Sequence, residues 1–204
     1  MLTTEEQNTL DSYNKIAVDW SATLDADYWQ KEYKKFSSLL PKGHIIDIGS
    51  GPGRDSLWFT KHGYDCTGVD VSEEMVRLAQ TANPKAKFFL KNLYELNFPP
   101  ATFDGFWAAC CLLHIPKAKI NLALLSIKSV LKPGAIGFIS IKEGIGEVMV
   151  EWKNSGHKRL FAYYSLEEFK NILEIAGFKI LESFKKLPSN ANQDGTFLIY
   201  YIKV

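Results

Sequence analysis

The chain has 204 residues, of which 46% are hydrophobic and 23% charged, proportions typical of a globular protein with one sizeable core. Its 24 basic and 23 acidic side chains give a formal charge of +1 and are spread along the chain, which argues against the basic surface that a nucleic-acid backbone requires. No apolar run reaches the roughly 18 residues of a membrane span, and the start of the chain is too polar and acidic for a secretory or transit peptide.

The three cysteines, Cys66, Cys110 and Cys111, lack the spacing of metal ligands. Adjacent cysteines rarely form a disulfide with each other because the resulting ring is strained. We therefore interpret all three as reduced, buried thiols and expect a cytoplasmic protein.

Two helices are predicted before residue 40. Thr3 and Glu6 have the spacing of a capping box ahead of the first helix, and a second helical pattern runs from Ala26 to Leu40. Four aromatic residues in this region have the spacing of a buried helical face: Tyr13, Trp20, Tyr28 and Trp29.

Strands and helices alternate from His44 onwards. The predicted strands cover 44–48, 64–69, 86–90, 103–109, 135–142, 178–185 and 196–203, and the predicted helices cover 54–62, 73–82, 117–131 and 165–176. Alternation indicates a doubly wound α/β sheet that is mostly parallel, whereas the last two strands, joined by the polar loop Pro188 to Gly195, must run antiparallel. We expect a single domain over 1–204, to which 1–40 and 143–164 are attached.

A glycine-rich loop follows the first of these strands, in the segment Asp47-Ile48-Gly49-Ser50-Gly51-Pro52-Gly53. Such a loop lets the backbone turn sharply and approach a ligand at the carboxyl ends of the strands. A dinucleotide site has the pattern G-x-G-x-x-G, but here Arg54 stands where the third glycine of that pattern belongs. Asp47 is unusual inside a strand unless it supports the loop or faces a cationic ligand.

An acidic residue, Asp70, ends the next strand. A carboxylate at this place can accept hydrogen bonds from both ribose hydroxyls of a nucleoside, or it can cap the following helix, a role for which Ser72 is also available. The glycine loop and Asp70 together predict an adenosine site without a pyrophosphate cradle.

From about Tyr13 to its end, the chain resembles the class I S-adenosylmethionine-dependent methyltransferases of small-molecule type. The resemblance lies in four segments in order: IIDIGSGPGRD, GVDVSEEMV, FDGFWAACCLLHIPK and SVLKPGAIGFISI. It implies a Rossmann-like three-layer αβα sandwich around a seven-stranded sheet of order 3-2-1-4-5-7-6, with the last strand antiparallel. It also implies S-adenosylmethionine as cofactor.

The resemblance further implies roles for the cofactor-binding residues. Gly49, Ser50 and Gly51 would line the methionine and ribose portions, while Asp47 would orient the sulfonium end or the amino group. Arg54 is either structural or a partner of the cofactor carboxylate.

The remaining implied cofactor contacts follow later strands. Asp70 would hold the ribose, Val71 would pack under the adenine, and the backbone around Ala109 would meet the amino group. Asn92 and Leu93 stand where the family often has an acidic and an apolar residue for the adenine, so the contact from Asn92 lacks charge assistance.

We expect the acceptor site to be built from the two attached segments. The residues at 1–40 fit a lid that carries Tyr13, Trp20, Tyr28 and Trp29 as a group, although ordinary packing is the favoured explanation for each of them alone. The segment 143–164 is the predicted substrate-facing insertion, and the candidate contacts in and next to it are Lys142, Glu143, Trp152, Arg159, Phe161 and Tyr163.

A general base is needed only if the methylated atom carries a proton, and His114 or Glu143 is the candidate for it. His114 is equally explained as the entry to a helix before Pro116. We expect a small-molecule acceptor, no metal, no nucleic acid, no membrane, and a monomer or homodimer. The alternatives are a non-catalytic S-adenosylmethionine-binding regulatory module, a nicotinamide-dependent oxidoreductase, which the glycine spacing disfavours, and a nucleic-acid methyltransferase.

Overall fold

The computed structural model describes residues 1–188 and 195–204. Its helices are α1 Thr4–Ala22, α2 Gln30–Leu39, α3 Arg54–Lys61, α4 Glu73–Ala82, α5 Ile120–Ser129 and α6 Leu166–Ile175. Its strands are β1 His44–Ile48, β2 Asp65–Asp70, β3 Lys87–Leu90, β4 Phe103–Ala109, β5 Leu131–Lys142, β6 Glu147–Glu151, β7 Lys158–Ala162, β8 Lys179–Lys186 and β9 Phe197–Lys203.

Seven of these strands form one sheet in the order β3-β2-β1-β4-β5-β9-β8. The pairs among β1 to β5 are parallel, and β9 is antiparallel to both of its neighbours. When β6 and β7, which pair outside this sheet, are left out of the numbering, this is the predicted order 3-2-1-4-5-7-6. The predicted loop Pro188 to Gly195 lies for the most part outside the described residues, which omit 189–194.

Helices pack on both faces of the sheet. One buried cluster joins the sheet to α5 and α6 through residues such as Leu124 and Phe169. The other joins it to α2, α3 and α4 and includes Phe36 and Phe59. The three-layer αβα architecture is therefore confirmed.

The predicted helix caps are formed, but several element bounds differ from the prediction: α2 begins at Gln30 and not at Ala26, and β5 begins at Leu131 and not at Ala135. The capping boxes Thr3/Glu6 and Ser165/Glu168 are both formed. The helix predicted over 117–131 is a 3₁₀ turn followed by α5, and Leu131 already belongs to β5, where it pairs with Phe103. Leu131 is buried at the start of β5, so the apolar pattern that extended the predicted helix comes from a strand residue.

The segment 143–164 contains a β-hairpin that the sequence reading missed. β6 and β7 pair antiparallel, with Val150 opposite Arg159. The residues Ser155 and Gly156 between the strands were a turn signal, but the mixed polarity of the flanking residues hid the strand alternation. This hairpin brings Arg159 and Phe161 to the carboxyl end of the sheet.

Candidate functional site

A cavity of about 810 Å³ opens beyond the carboxyl ends of β1, β2 and β4, a size usual for ligand sites of roughly 300–1,000 Å³. All but two of the predicted site residues line this cavity. They are Tyr13, Trp20, Tyr28, Trp29, Gly49, Ser50, Gly51, Arg54, Asp70, Val71, Asn92, Leu93, Ala109, His114 and Tyr163. The two exceptions are Asp47 and Glu143.

The glycine loop turns tightly against the segment that follows β4. Gly49 has φ +63°, and a Cβ at this position would lie 2.3 Å from Cβ of Cys111. Only glycine satisfies both the left-handed backbone and this close approach. The loop is therefore fixed in shape where it lines the cavity.

The Asp70 carboxylate connects this loop to α4. Its Oδ2 accepts a hydrogen bond from the Gly51 N–H at 2.9 Å, and its Oδ1 accepts one from the Ser72 N–H at 2.9 Å. Ser72 caps α4 through its own hydroxyl, which accepts from the Met75 N–H. Burial raises the pKa of Asp70, and the backbone hydrogen bonds oppose this shift. Each carboxylate oxygen keeps a second lone pair with which it can bind a hydroxyl group in the cavity.

Asp47 joins β1 to α3, the two elements that flank the loop, and does not line the cavity, which corrects the predicted contact with the sulfonium end. Its side chain is buried, and Oδ2 accepts a hydrogen bond from the Ser56 hydroxyl at 2.6 Å. Burial, together with the nearby charge of Asp55, raises the pKa of Asp47. The position of Asp47 agrees with its other predicted role, which is to support the glycine loop.

Asp55 is a buried acid that lines the cavity and was not predicted from the sequence. Its carboxylate accepts hydrogen bonds from the Tyr33 hydroxyl at 2.7 Å and from Trp107 Nε1 at 2.8 Å. It also pairs with the guanidinium of Arg54 at 2.5 Å. Arg54 is therefore held by a neighbouring carboxylate, although it lines the cavity.

The predicted adenine contacts lie together at one end of the cavity. Val71 is half exposed, and Leu93 and Asn92 line the same wall. The Asn92 Oδ1 already accepts a hydrogen bond from the Tyr94 N–H at 3.0 Å. One lone pair of this oxygen remains for a ligand.

His114 connects α1 to β7 through both of its ring nitrogens. Nδ1 lies 2.6 Å from the carbonyl oxygen of Leu160, and Nε2 lies 2.8 Å from the Tyr13 hydroxyl. Because a carbonyl only accepts, Nδ1 carries the proton and Nε2 accepts from Tyr13. Burial lowers the pKa of His114 to about 3, and the charges of Arg159 and Lys142 add to this effect.

These contacts correct the role proposed for His114. A general base works best when its pKa lies near the working pH, and an imidazole with a pKa of about 3 takes up a proton poorly at neutral pH. Its accepting nitrogen is also occupied by Tyr13. His114 therefore orients Tyr13 as a neutral hydrogen-bond partner.

Glu143 lies outside the cavity, so the structure does not support it as a base. Its carboxylate pairs at 2.5 Å with the ammonium of Lys185 on β8, the edge strand beyond β9. Side chains alternate along an extended chain, so Glu143 points away from the side on which Lys142 lines the cavity.

Helix α1 is bonded to both sides of the cavity. Asn14 Oδ1 accepts from the Ser72 hydroxyl at 2.7 Å. Toward β7, the Ser12 hydroxyl donates to the Lys158 carbonyl at 2.7 Å, and Thr9 Oγ1 accepts from the Leu160 N–H at 2.8 Å. α1 thus spans from the start of α4 to the hairpin.

Trp29 differs from the other predicted lid aromatics. Its side chain is only 1% exposed and packs edge-on against Phe138 and Phe197 of the sheet. Packing therefore explains Trp29, which forms part of a fixed wall of the cavity.

The prediction of buried cysteines holds for Cys66 alone. Cys110 and Cys111 are partly exposed and line the cavity, and all three thiols are free. Burial from water raises the pKa of the Cys110 thiol to about 11. Cys110 is therefore a neutral thiol at neutral pH.

Residues 1–188 and 195–204 contain neither a membrane-spanning helix nor a cluster of metal-binding side chains. No helix in these ranges is long and apolar enough to cross a membrane. No group of three or more His, Cys, Asp or Glu side chains there is arranged to hold a metal ion.

We predict that His114 keeps its proton on Nδ1 and does not titrate between pH 5 and 8, because burial lowers the pKa of its imidazole. Nitrogen-15 NMR of the imidazole ring measures both properties, and the His114→Gln variant assigns the signal. The Tyr13→Phe variant removes the hydroxyl that bonds to Nε2 of His114, and we expect the proton to stay on Nδ1 in this variant as well. A titration midpoint above pH 5, or a proton on Nε2, would contradict this description.

Comparisons with known proteins agree with this site. A family described as a methyltransferase domain matches residues 45–134. The chain is 31% identical to the O-methyltransferase rstn1 of Aspergillus nomiae NRRL, over 88% of this chain and 91% of that protein. It is 27% identical to the O-methyltransferase resE of Aspergillus sclerotiorum, over 68% of this chain and 56% of that protein.

A solved structure has the same fold. It is that of the Burkholderia thailandensis 1,6-didemethyltoxoflavin-N1-methyltransferase, with bound 1,6-didemethyltoxoflavin and S-adenosylhomocysteine. The TM-score is 0.77 at 22% identity, and the match covers 100% of this chain and 91% of the other. Taken with the relative that is 31% identical over nearly its whole length, these findings show that the chain belongs to the Rossmann-like S-adenosylmethionine-dependent methyltransferases.

Proposed function

We propose that this enzyme transfers a methyl group from S-adenosylmethionine to an oxygen atom of a small-molecule acceptor bound between the glycine loop, α1 and β7. One observation carries the proposal: the glycine loop, Asp70 and the aromatic side chains of α1 and β7 all line a single cavity. Transfer to oxygen is supported by the names of two relatives, both O-methyltransferases.

The residues of the glycine loop fit the cofactor. Gly51 lines the cavity, and a Cβ built on it would have no protein atom within 4 Å. The bare backbone at this position leaves room for a ligand to approach closely. Asp70 would accept hydrogen bonds from the ribose hydroxyls, while Val71, Asn92 and Leu93 would surround the adenine.

When bound, S-adenosylmethionine supplies a methyl group on a positively charged sulfur, which a nucleophile can attack directly. The chain's own contribution is to position the acceptor and exclude water. Tyr13 lines the cavity, and its hydroxyl donates a hydrogen bond to Nε2 of His114. Burial raises the pKa of Tyr13 to about 12, so its hydroxyl stays protonated and acts as a fixed polar group.

The remaining features of the proposal concern the surroundings of the site. The segment 1–40 would act as a lid through Tyr13, Trp20 and Tyr28, and 143–164 would contact the acceptor through its hairpin. We place both in one domain over 1–204 of a cytoplasmic enzyme, a monomer or homodimer. The balanced charge of +1 supports a small-molecule acceptor over a nucleic acid.

We predict that Gly51→Ala weakens S-adenosylhomocysteine binding at least tenfold, because the new methyl group takes up space in the cavity. Gly63→Ala is a matched control: Gly63 also has positive φ and open space around it, but does not line the cavity. Both variants should lose about 1 kcal/mol of stability from the left-handed backbone. Calorimetric binding and thermal unfolding separate the two effects, and equal affinity loss in both variants would contradict the assignment.

We also predict turnover with hydroxylated aromatic compounds. The purified enzyme is incubated with S-adenosylmethionine and a panel of phenols and matched anilines, and methylated products are identified by mass spectrometry and NMR. Methyl ethers are the expected products. Methylated anilines without O-methylated products would contradict transfer to oxygen, and cofactor binding without any product would favour the non-catalytic module.

A further inference from the structure

Arg159 is a buried cation at the acceptor end of the cavity. Its side chain lies on β7, is only 6% exposed and lines the cavity beside Tyr13. Nη1 donates a hydrogen bond to the Tyr13 hydroxyl at 3.2 Å, whereas the buried Nε has no hydrogen-bond partner. Within residues 1–188 and 195–204, no carboxylate lies within 4.0 Å of this guanidinium.

Two other buried charged side chains, Glu6 and Glu32, form ion pairs. Glu6 binds Lys119 at 2.7 Å, and Glu32 binds Lys186 at 2.8 Å. Burying a charge without a partner costs several kcal/mol in general, so proteins rarely leave one in place. Arg159 departs from this pattern at the wall of the proposed acceptor site.

The acidic residues that line the cavity all have other partners. Glu6 pairs with Lys119 and Asp55 with Arg54. The remaining three, Asp25, Asp70 and Glu151, accept hydrogen bonds from backbone N–H groups. His114, on the other side of Tyr13, is neutral and therefore does not offset the charge of Arg159. Within the described residues, none of the five acids that line the cavity forms an ion pair with Arg159.

Three aromatic rings hold the guanidinium in place. Its carbon lies 5.0 Å from the ring centre of Trp20 and 5.4 Å from those of Tyr13 and Phe161. Cation–π contacts of this kind fix the position of a guanidinium without neutralising its charge. The same rings offer a flat apolar surface beside the charge.

We propose that the acceptor is an aromatic carboxylate and that Arg159 binds its carboxylate group. A guanidinium matches a carboxylate through two parallel hydrogen bonds, and the rings around it favour a planar partner. One unpaired guanidinium balances a single negative charge, which favours a carboxylate over a phosphate monoester, whose charge is about −1.5 to −2. The inference rests on the proposed function, since it names the acceptor class of that site.

The test uses hydroxybenzoates and hydroxynaphthoates, each compared with its uncharged carboxamide. Calorimetry measures their binding to the enzyme saturated with S-adenosylhomocysteine. Charge-assisted hydrogen bonds contribute about 1.5–3 kcal/mol, so the wild type should prefer at least one carboxylate over its amide by about 10- to 100-fold. Arg159→Gln should abolish this preference and Arg159→Lys should retain part of it. Lys158→Gln, an exposed neighbour on the same strand, should leave it unchanged.

Three results would overturn the inference. One is the absence of any preference for carboxylates, including the absence of binding, in an enzyme that still binds S-adenosylhomocysteine. Another is tighter binding of the matching aryl phosphates. The third is a loss of S-adenosylhomocysteine affinity in Arg159→Gln that does not occur with methylthioadenosine, which would assign Arg159 to the cofactor's carboxylate. Failure of the wild type to bind S-adenosylhomocysteine at all would instead contradict the proposed function.

Discussion

The carboxylate of Asp70 is the contact on which the geometry of the site depends. It accepts hydrogen bonds from the backbone N–H groups of Gly51 in the glycine loop and of Ser72. The carboxylate thereby joins the loop after β1 to the start of α4. Ser72 in turn bonds to Asn14 of α1. Because Tyr13 precedes Asn14 and bonds to His114, the chain of contacts continues to β7. The proposed cofactor end and acceptor end of the cavity are thus connected through a single helix.

Charge distinguishes the two ends of the cavity. The proposed cofactor end contains Asp70, whereas the proposed acceptor end contains the unpaired guanidinium of Arg159 and a neutral His114. A cavity that receives a sulfonium and already holds an unpaired guanidinium accumulates positive charge. An anionic acceptor would offset that charge. If the methylated oxygen is ionised before it enters the cavity, no general base is required, which agrees with the low pKa of His114.

Much of the fold follows from local sequence. The strands at 44–48 and 103–109 and the helix at 73–82 agree with their predictions, because buried apolar runs, glycine turns and the Ser72 cap are short-range signals. The grouping of the glycine loop and Asp70 at the proposed cofactor end was also predictable, since they follow consecutive strands whose carboxyl ends meet at one edge of the sheet.

The rest of the site depends on contacts between distant parts of the chain. The hydrogen bond between Tyr13 and Arg159 joins residues 146 positions apart, and the hairpin that forms it had no clear alternation in sequence. The directions of the Asp47 and Glu143 side chains could not be predicted from the sequence either. Sequence marks Asp47 and Glu143 as acids near the site, but their orientation is set by Ser56 and Lys185.

The central claim is that Asp70 binds the ribose of the cofactor in addition to holding the glycine loop. We would measure by calorimetry the affinity of wild type and Asp70→Asn for S-adenosylhomocysteine and for its analogue without the ribose 2′-hydroxyl. Asp65→Asn, an exposed acid at the other end of β2, is the control. We expect Asp70→Asn to weaken S-adenosylhomocysteine binding about 10- to 100-fold, because charge-assisted hydrogen bonds are lost. Binding of the analogue without the 2′-hydroxyl should be weakened clearly less. Equal losses for both ligands, or unchanged affinity in a folded variant, would contradict the claim.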